Sequence, residues 1–314
     1  MTDITEPTST GPQAVLISTD LSKASDKPLR HALAVARHYG AKLYLTHVVS
    51  SLGYTIAGPE AHELACEATK REVGKLETEL IAKGLLNGMA YEFIIRKGEI
   101  WTQLQSVIHE KQIDLTVVGT HGRRSLGKML IGSVAEQTFR HSNVPVLTVG
   151  PGCAEISPTE ERGTLRPFLF ATDFGPASLN ALPLAISFAN HFGAKLLLLH
   201  VAPVAPIPED FHWSRTTSDI RRLQETARQE GLERLHEAVS ANPSLTIEPE
   251  FLVKFGTPGK VILHVASTVG ADLIVMGVNR SHPIDAASHM PSATAYEVVC
   301  GAGCSVLTVR STGN

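Results

Sequence analysis

The chain has 314 residues, and 28 basic against 31 acidic side chains leave a formal net charge of −3. Its 43% hydrophobic and 19% charged content is that of a globular protein with material for two cores. The near-even charge balance gives no footing to a nucleic-acid or polybasic membrane function. The four cysteines, Cys66, Cys153, Cys300 and Cys304, are too few for a secreted disulfide framework.

In chain order, MTDITEPTSTGPQ is polar, lacks the charged–apolar–small pattern of a secretory signal and reads as a frayed tail, so a cytoplasmic location is expected. Short Val/Ile/Leu runs predict strands at about 14–19, 42–49, 90–97, 114–119 and 145–149. Amphipathic segments between them predict helices near 25–39, 60–84, 100–111 and 132–141. Several strands are continuously apolar rather than alternating, as strands buried on both faces are. Strand–helix alternation then implies a doubly wound α/β sheet, mainly parallel, with right-handed crossovers and helices on both faces. The most apolar stretch, AKLLLLHVAPVAP, is too short to span a bilayer and is interrupted by Lys195 and His200.

The chain is written twice. AVLISTDLS at 14–22 is matched by FLFATDFGP at 168–176, and HYGAKLYLTHVV at 38–49 by HFGAKLLLLHVA at 191–202. Asp20 and Asp173 stand 153 positions apart, as do His47 and His200. IDLTVVG at 113–119 matches ADLIVMG at 271–277, with Asp114 and Asp272 offset by 158, and VPVLTVG at 144–150 matches CSVLTVR at 304–310. A period this long is a domain, not a solenoid repeat. The expected organisation is a domain over 1–150, a linker over 151–162 within the polar stretch GPGCAEISPTEERGTLR, and a second domain over 163–314. Each is expected to be a five-stranded sheet in Rossmann-like, flavodoxin-like order.

After the fourth strand the chain reads GTHGRRSLGKMLIGS, from Gly119 to Ser133. Gly122 to Lys128 imitates a P-loop, G-x-x-x-x-G-K-[ST], but Met129 stands where the magnesium-binding hydroxyl belongs, and a P-loop follows an early strand. The spacing Gly119-x2-Gly122-x9-Gly132-Ser133 instead resembles the G-2x-G-9x-G-[ST] motif of ATP-binding members of the universal stress protein family. TDLS after the first strand, GAKLYLTHVV at the second and GSVAEQTFRHSNVPVLTV at the end are similar to that family too, so the likeness covers essentially the whole chain as two tandem copies.

The physics of the fold leads to the same crevice. In a doubly wound sheet a ligand binds beyond the strand C-termini, where strand order reverses. With the fourth strand beside the first, Asp20 and Gly119 face each other there. Asp20 can accept ribose hydroxyls or cap the following helix. Gly119 and Gly122 let backbone approach phosphate, and Gly132 and Ser133, with Ser133 as N-cap, offer N–H groups and the positive helix end. The resemblance implies an ATP site, with or without magnesium, formed by Asp20, Val48 (adenine, through its backbone), Val118, Gly119, His121, Gly122, Gly132, Ser133 and Val134. Arg123, Arg124 and Lys128 are either a solvated rim or phosphate ligands. His47 and His200, on apolar strands, read as satisfied core histidines.

In the second copy, GVNRSHPIDAASHMPSATAYEVV, only Gly277 survives of the loop glycines, and Asp173 is retained. Arg280 brings a bulky side chain where phosphate needs none, and Pro291-Ser292 replaces Gly132-Ser133 with loss of an N–H. A structural or differently liganded second domain is expected. Cys300 and Cys304, with His282 and His289 upstream, give C-x3-C alone, a weak zinc signal, and read as core thiols.

Phosphoryl transfer needs a metal clamp and a positioned base. No carboxylate falls in the first loop and His121 is its only acid–base group, so a nucleotide-dependent stress-response or signalling module is favoured over a weak ATP hydrolase or an autophosphorylating protein. The family dimerises through its last strand. By that resemblance VPVLTV and CSVLTV, edges needing cover, would pair antiparallel in an intramolecular pseudo-dimer, which may pair again into a homodimer. The expected partners are an adenine nucleotide and a protein, not nucleic acid or membrane.

Overall fold

The computed structural model describes residues 11–50, 58–120, 131–154, 167–202, 217–279 and 293–310. The chain divides into two compact units, Met1–Thr164 with Gly303–Thr308, and Leu165–Ala302 with Val309–Asn314. The first unit runs β1 (Ala14–Ser18), α1 (Asp26–Tyr39), β2 (Lys42–Ser50), α2 (Gly58–Ala82), β3 (Tyr91–Gly98), α3 (Ile100–Glu110), β4 (Leu115–Gly119), α4 (Ser133–His141) and β5 (Val146–Val149). A 3-10 turn, Lys23–Ser25, joins β1 to α1. The strands lie in the order β3-β2-β1-β4-β5, every neighbouring pair parallel.

The second repeat follows the same course: β6 (Phe168–Thr172), α5 (Pro176–Phe192), β7 (Leu196–Ala202), α6 (Thr217–Ser240), β8 (Glu250–Phe255), α7 (Pro258–Val269), β9 (Leu273–Val278), α8 (Ala293–Gly301) and β10 (Ser305–Arg310). Its strands β9-β6-β7-β8 are parallel neighbours. Within the first unit, Val306–Thr308 of β10 pairs antiparallel with Val146–Thr148 of β5, which covers the edge that VPVLTV would otherwise expose.

Continuously apolar strands are buried on both faces. Val15, Leu16 and Ile17 of β1, and all of Phe168–Thr172 in β6, are buried. In the first unit β1 to β3 step one way across the sheet, and β4 and β5 the other. Right-handed crossovers therefore put α1 and α2 on one face and α3 and α4 on the opposite one.

The two Gly-Ala-Lys tripeptides explain themselves in the helix ends. Gly40 (φ 65°) stops α1 and Gly193 (φ 64°) stops α5, each in the left-handed region that favours glycine. The next alanine closes the turn, Ala41 N donating to Ala36 O at 2.8 Å and Ala194 N to Ala189 O at 2.9 Å. The lysine comes at the start of the strand, Lys42 as the first residue of β2 and Lys195 just before β7: Lys42 pairs with Glu92 at 2.9 Å, and Lys195 pairs with Glu250 in the same way. These exposed pairs contribute little energy, about 0–1 kcal/mol each, but they show the repeat holding at side-chain level. No helix among the described residues is long and apolar enough to cross a membrane.

Candidate nucleotide site

The site grows from the end of β1. Thr19 N still follows the sheet, donating to Thr46 O at 3.0 Å, and then the chain turns sharply. Leu21 sits at φ 58°, in the left-handed region, which costs a bulky residue roughly 1–2 kcal/mol. The turn is held by side chains. Thr19 Oγ1 accepts from Leu21 N at 3.0 Å. Asp20 Oδ1 accepts from Ser22 N (3.0 Å), Ser22 Oγ (2.6 Å) and Ser25 Oγ (2.7 Å). Ser22 in turn caps the 3-10 turn, its Oγ accepting from Ala24 N at 3.3 Å.

The second repeat builds the same device. Phe174 sits at φ 61° with its N–H on Thr172 Oγ1 at 2.9 Å. Asp173 Oδ1 accepts from Gly175 N (2.9 Å) and Ser178 Oγ (2.7 Å). Burial alone would raise the Asp173 carboxyl, but the bonds from Ser178 and Gly175, together with its own N–H and the nearby His200, hold the group below its ordinary value of 3.8. One oxygen of each aspartate thus carries the helix-entry role that the sequence left open beside ribose recognition.

β4 is hydrogen-bonded directly to β1, Ile17 opposite Val117, so Asp20 and Gly119 leave the sheet at the same edge. Ser18 stands opposite Thr46, which brings Val48 of β2 to that edge as well. This is the switch point, where β1 leads toward β2 and β4 toward β5. Val118 is buried, and Gly119 ends β4 opposite Val149. His121, Gly122, Arg123, Arg124, Ser125, Lys128 and Met129 lie outside the described residues.

The base of that loop is closed. Thr120 N donates to Val149 O at 3.0 Å, and Gly132 N donates to Thr120 O at 2.7 Å. Gly132, not Ser133, is the N-cap of α4, with extended backbone (φ −63°, ψ 150°), and Ser133 is the first helical residue. Two expectations change as a result. Ser133 does not cap, because Gly132 makes the turn between extended and helical backbone. The Gly132 N–H is not offered to a ligand, because the Thr120 carbonyl takes it. The first-turn N–H groups at and after Ser133, which have no partner inside the helix, carry the anion-binding potential instead.

Beneath the edge, Val48 belongs to a buried cluster with Leu16, Tyr44, Ile94, Leu104, Val107 and Ile113, and Val134 packs against it. The structure thus joins Val48 and Val134 in one apolar floor. Sequence reasoning missed two buried hydroxyls in β2 and β5: Thr46 and Thr148 are buried, and their Oγ1 atoms have no hydrogen-bond partner among the described residues. Their only sequence signal is threonine inside otherwise apolar strands.

His47 and His200 are half-buried rather than core residues, and each is satisfied, their Nδ1 atoms bonded to Thr19 O (2.8 Å) and Thr172 O (2.9 Å). Cys304 is buried and Cys300 half-buried, and neither is joined in a disulfide. His282 and His289 lie outside the described residues, and among those described no cluster of His, Cys, Asp and Glu is placed to hold a metal.

The sequence profile of the Universal stress protein family matches residues 12–150 and again 164–310. The chain belongs to the universal stress protein family. It is a tandem two-domain member of that family. Among its relatives, universal stress protein MJ0531 of Methanocaldococcus jannaschii is 29% identical over 142 residues, covering 43% of this chain and 80% of the relative. Universal stress protein MJ0577 of the same organism is 28% identical over 150 residues, covering 43% of this chain and 93% of the relative. The crystal structure of a universal stress protein from Archaeoglobus fulgidus DSM 4304 shares the fold at a TM-score of 0.66 with 19% identity, over 95% of this chain and 98% of its own.

In the second of the universal stress protein repeats, Gly277 at the end of the fourth strand packs against a helix. An ideal Cβ on Gly277 would fall closer than 3.0 Å to the Ala177 carbonyl and to Ser178 N, so this glycine admits the first turn of α5 against β9. Gly277 therefore survives in the second copy for a packing reason that needs no ligand. Arg280, Pro291 and Ser292 lie outside the described residues.

Proposed function

We propose that this protein is an ATP-binding universal stress protein whose first domain, over 1–150, holds the nucleotide, and that it acts as a nucleotide-dependent stress-response or signalling module. The observation that carries the reading is the spacing Gly119-x2-Gly122-x9-Gly132-Ser133. Its far end bonds back to the residue after Gly119, Gly132 N donating to Thr120 O, and β4 lies beside β1, which leads into Asp20. In this reading Asp20 accepts the ribose hydroxyls with the carboxylate that also braces the turn. Val48 meets the adenine through its backbone, and Val118 and Val134 line the apolar side. Gly119 and Gly122 give the phosphates close access. Ser133 adds its hydroxyl and N–H, and His121 lies alongside. Magnesium would accompany the phosphates, and the chain supplies no carboxylate in the loop to hold it.

The second domain, over 163–314 after a linker at 151–162, keeps Asp173 for its turn and works without a tight nucleotide. The protein is a cytoplasmic homodimer that reports its nucleotide state to a protein partner. Gly122→Val tests the site in the full chain, since a side chain there excludes phosphate while a loop tolerates it. ATP at about 100 times its Kd stabilises a binder by roughly 2.7 kcal/mol, a melting shift of several degrees at about 2–4 °C per kcal/mol. The shift is expected for the parent chain and not for Gly122→Val. An equal shift in both removes the loop from the site.

A further inference from the structure

β3 ends the strand order of the first unit, and among the described residues no strand pairs with its outer side. One bond fixes which way its backbone faces. Leu43 N of β2 donates to Ala90 O at 2.9 Å, and the two strands run parallel with Leu43 opposite Tyr91. Backbone groups alternate along a strand, so Glu92, Ile94 and Arg96 turn their N–H and C=O toward β2. Tyr91, Phe93, Ile95 and Lys97 turn theirs outward. Such a row of unpaired groups is a template for another strand.

The side chains along this edge are complementary to themselves. Ile94 is buried with Leu16, Tyr44 and Leu104 on the face that α3 covers, so Glu92 and Arg96 flank it on that face. On the opposite face Phe93 and Ile95 are half-buried. An antiparallel copy related by a two-fold axis at Ile94 sets Glu92 against Arg96 of the second chain, and Arg96 against its Glu92. The same register opposes Phe93 to Ile95. Both turn their backbone groups outward, so the pair exchanges hydrogen bonds in both directions. The nearest slips that keep the faces aligned set a charge against Ile94 and lose both ion pairs. Within its own chain Glu92 is held by Lys42 and Lys111, and Arg96 by Glu110. At 33% and 34% exposure the two side chains remain open to a further partner.

The second repeat guards the matching edge. Glu250 and Lys254 of β8 stand for Glu92 and Arg96 at an offset of 158, and at that offset Pro249 stands for Tyr91. Pro249 has no N–H to offer, and an edge proline is a common device against strand addition. β3 carries no proline.

We infer that β3 is the surface through which two copies of this chain associate, antiparallel about Ile94. The inference rests on the homodimer reading given above and supplies its interface.

The test uses the full chain in sedimentation equilibrium, with hydrogen exchange followed residue by residue. A dimer is expected, in which the amides of Phe93 and Ile95 exchange more slowly than in the diluted monomer. Ile95→Pro removes an outward N–H at an edge position where proline is tolerated, and should leave a monomer. Arg96→Glu alone and Glu92→Arg alone each place like charges across the axis, and each should weaken association about tenfold. Mixed in equal amounts, those two chains restore opposite charges at both places, and the dimer should return as a heterodimer. Should Ile95→Pro unfold the protein, the mixing experiment decides. A parent chain that stays monomeric removes the homodimer reading together with this interface. A dimer indifferent to all three substitutions leaves that reading standing and overturns the β3 interface, as does growth of the parent chain into assemblies larger than a dimer.

Discussion

Gly277→Ala is the substitution whose cost follows most directly from the coordinates. The added Cβ would lie closer than 3.0 Å to the carbonyl carbon and oxygen of Ala177 and to Ser178 N, all three of them backbone. No side chain can swing away, so α5 itself must back off β9 by something on the order of 1 Å. Its buried face includes Ala181, Leu182, Ala185 and Ile186, and a radial gap of about 0.5–1 Å forfeits a quarter to a half of each dispersion contact. Overpacking of this kind costs about 1–3 kcal/mol, and a clash against rigid backbone belongs at the upper end. At about 2–4 °C per kcal/mol the second unit should melt roughly 6–12 °C lower. Calorimetric melting, with hydrogen exchange to assign the weakened amides to α5, β6 and β9, measures this. ATP affinity should not change. A shift below about 2 °C, or exchange spread evenly over both units, would refute the packing role of Gly277.

Further outcomes are expected. Asp20→Asn keeps an Oδ1 acceptor for Ser22 and Ser25 but loses the charge. It should weaken ATP about tenfold at an unchanged melting point, whereas Asp20→Ala should also cost about 1 kcal/mol of stability; both are read by calorimetry and thermal melts. Asp173 sits below 3.8 when folded, so its stabilisation is complete above that pH and is lost as pH falls through the lower folded value. Ser178→Ala removes one donor, so a carboxyl NMR titration should find Asp173 moved up toward 3.8, and acid unfolding should begin at a higher pH. ATP and a non-hydrolysable analogue should shift the melting point alike, and phosphate release should stay far below the common enzyme range of about 1–10³ per second. A magnesium-dependent turnover near one per second that His121→Ala abolishes would make the protein a hydrolase instead.

Much of the fold was legible because its determinants are local or periodic. The Gly-Ala-Lys repeats announce a left-handed helix stop followed by a strand, and β1, β2 and β4 lie within a residue or so of their expected spans. The antiparallel pairing of β5 and β10 was implied by the family resemblance rather than by the strand pattern itself. What escaped was set by three-dimensional approach. Leu21 and Phe174 occupy the left-handed region although neither residue type suggests it, because Thr19 and Thr172 hydroxyls and the two aspartates hold the turn. Ser133 is the better N-cap by type, yet Gly132 takes the position because its N–H closes the loop onto Thr120. The reason for keeping Gly277 depends on α5, a helix about a hundred residues earlier in the chain, and no local pattern records it.

Titration calorimetry of the full chain with ATP tests the central claim most directly. The full chain is needed because Gly303–Thr308 completes the first unit. The account predicts a single equivalent of ATP per chain, AMP bound more weakly, and no measurable heat of binding with Gly122→Val. Two equivalents, or one equivalent that persists in Gly122→Val, would place the nucleotide elsewhere and contradict it.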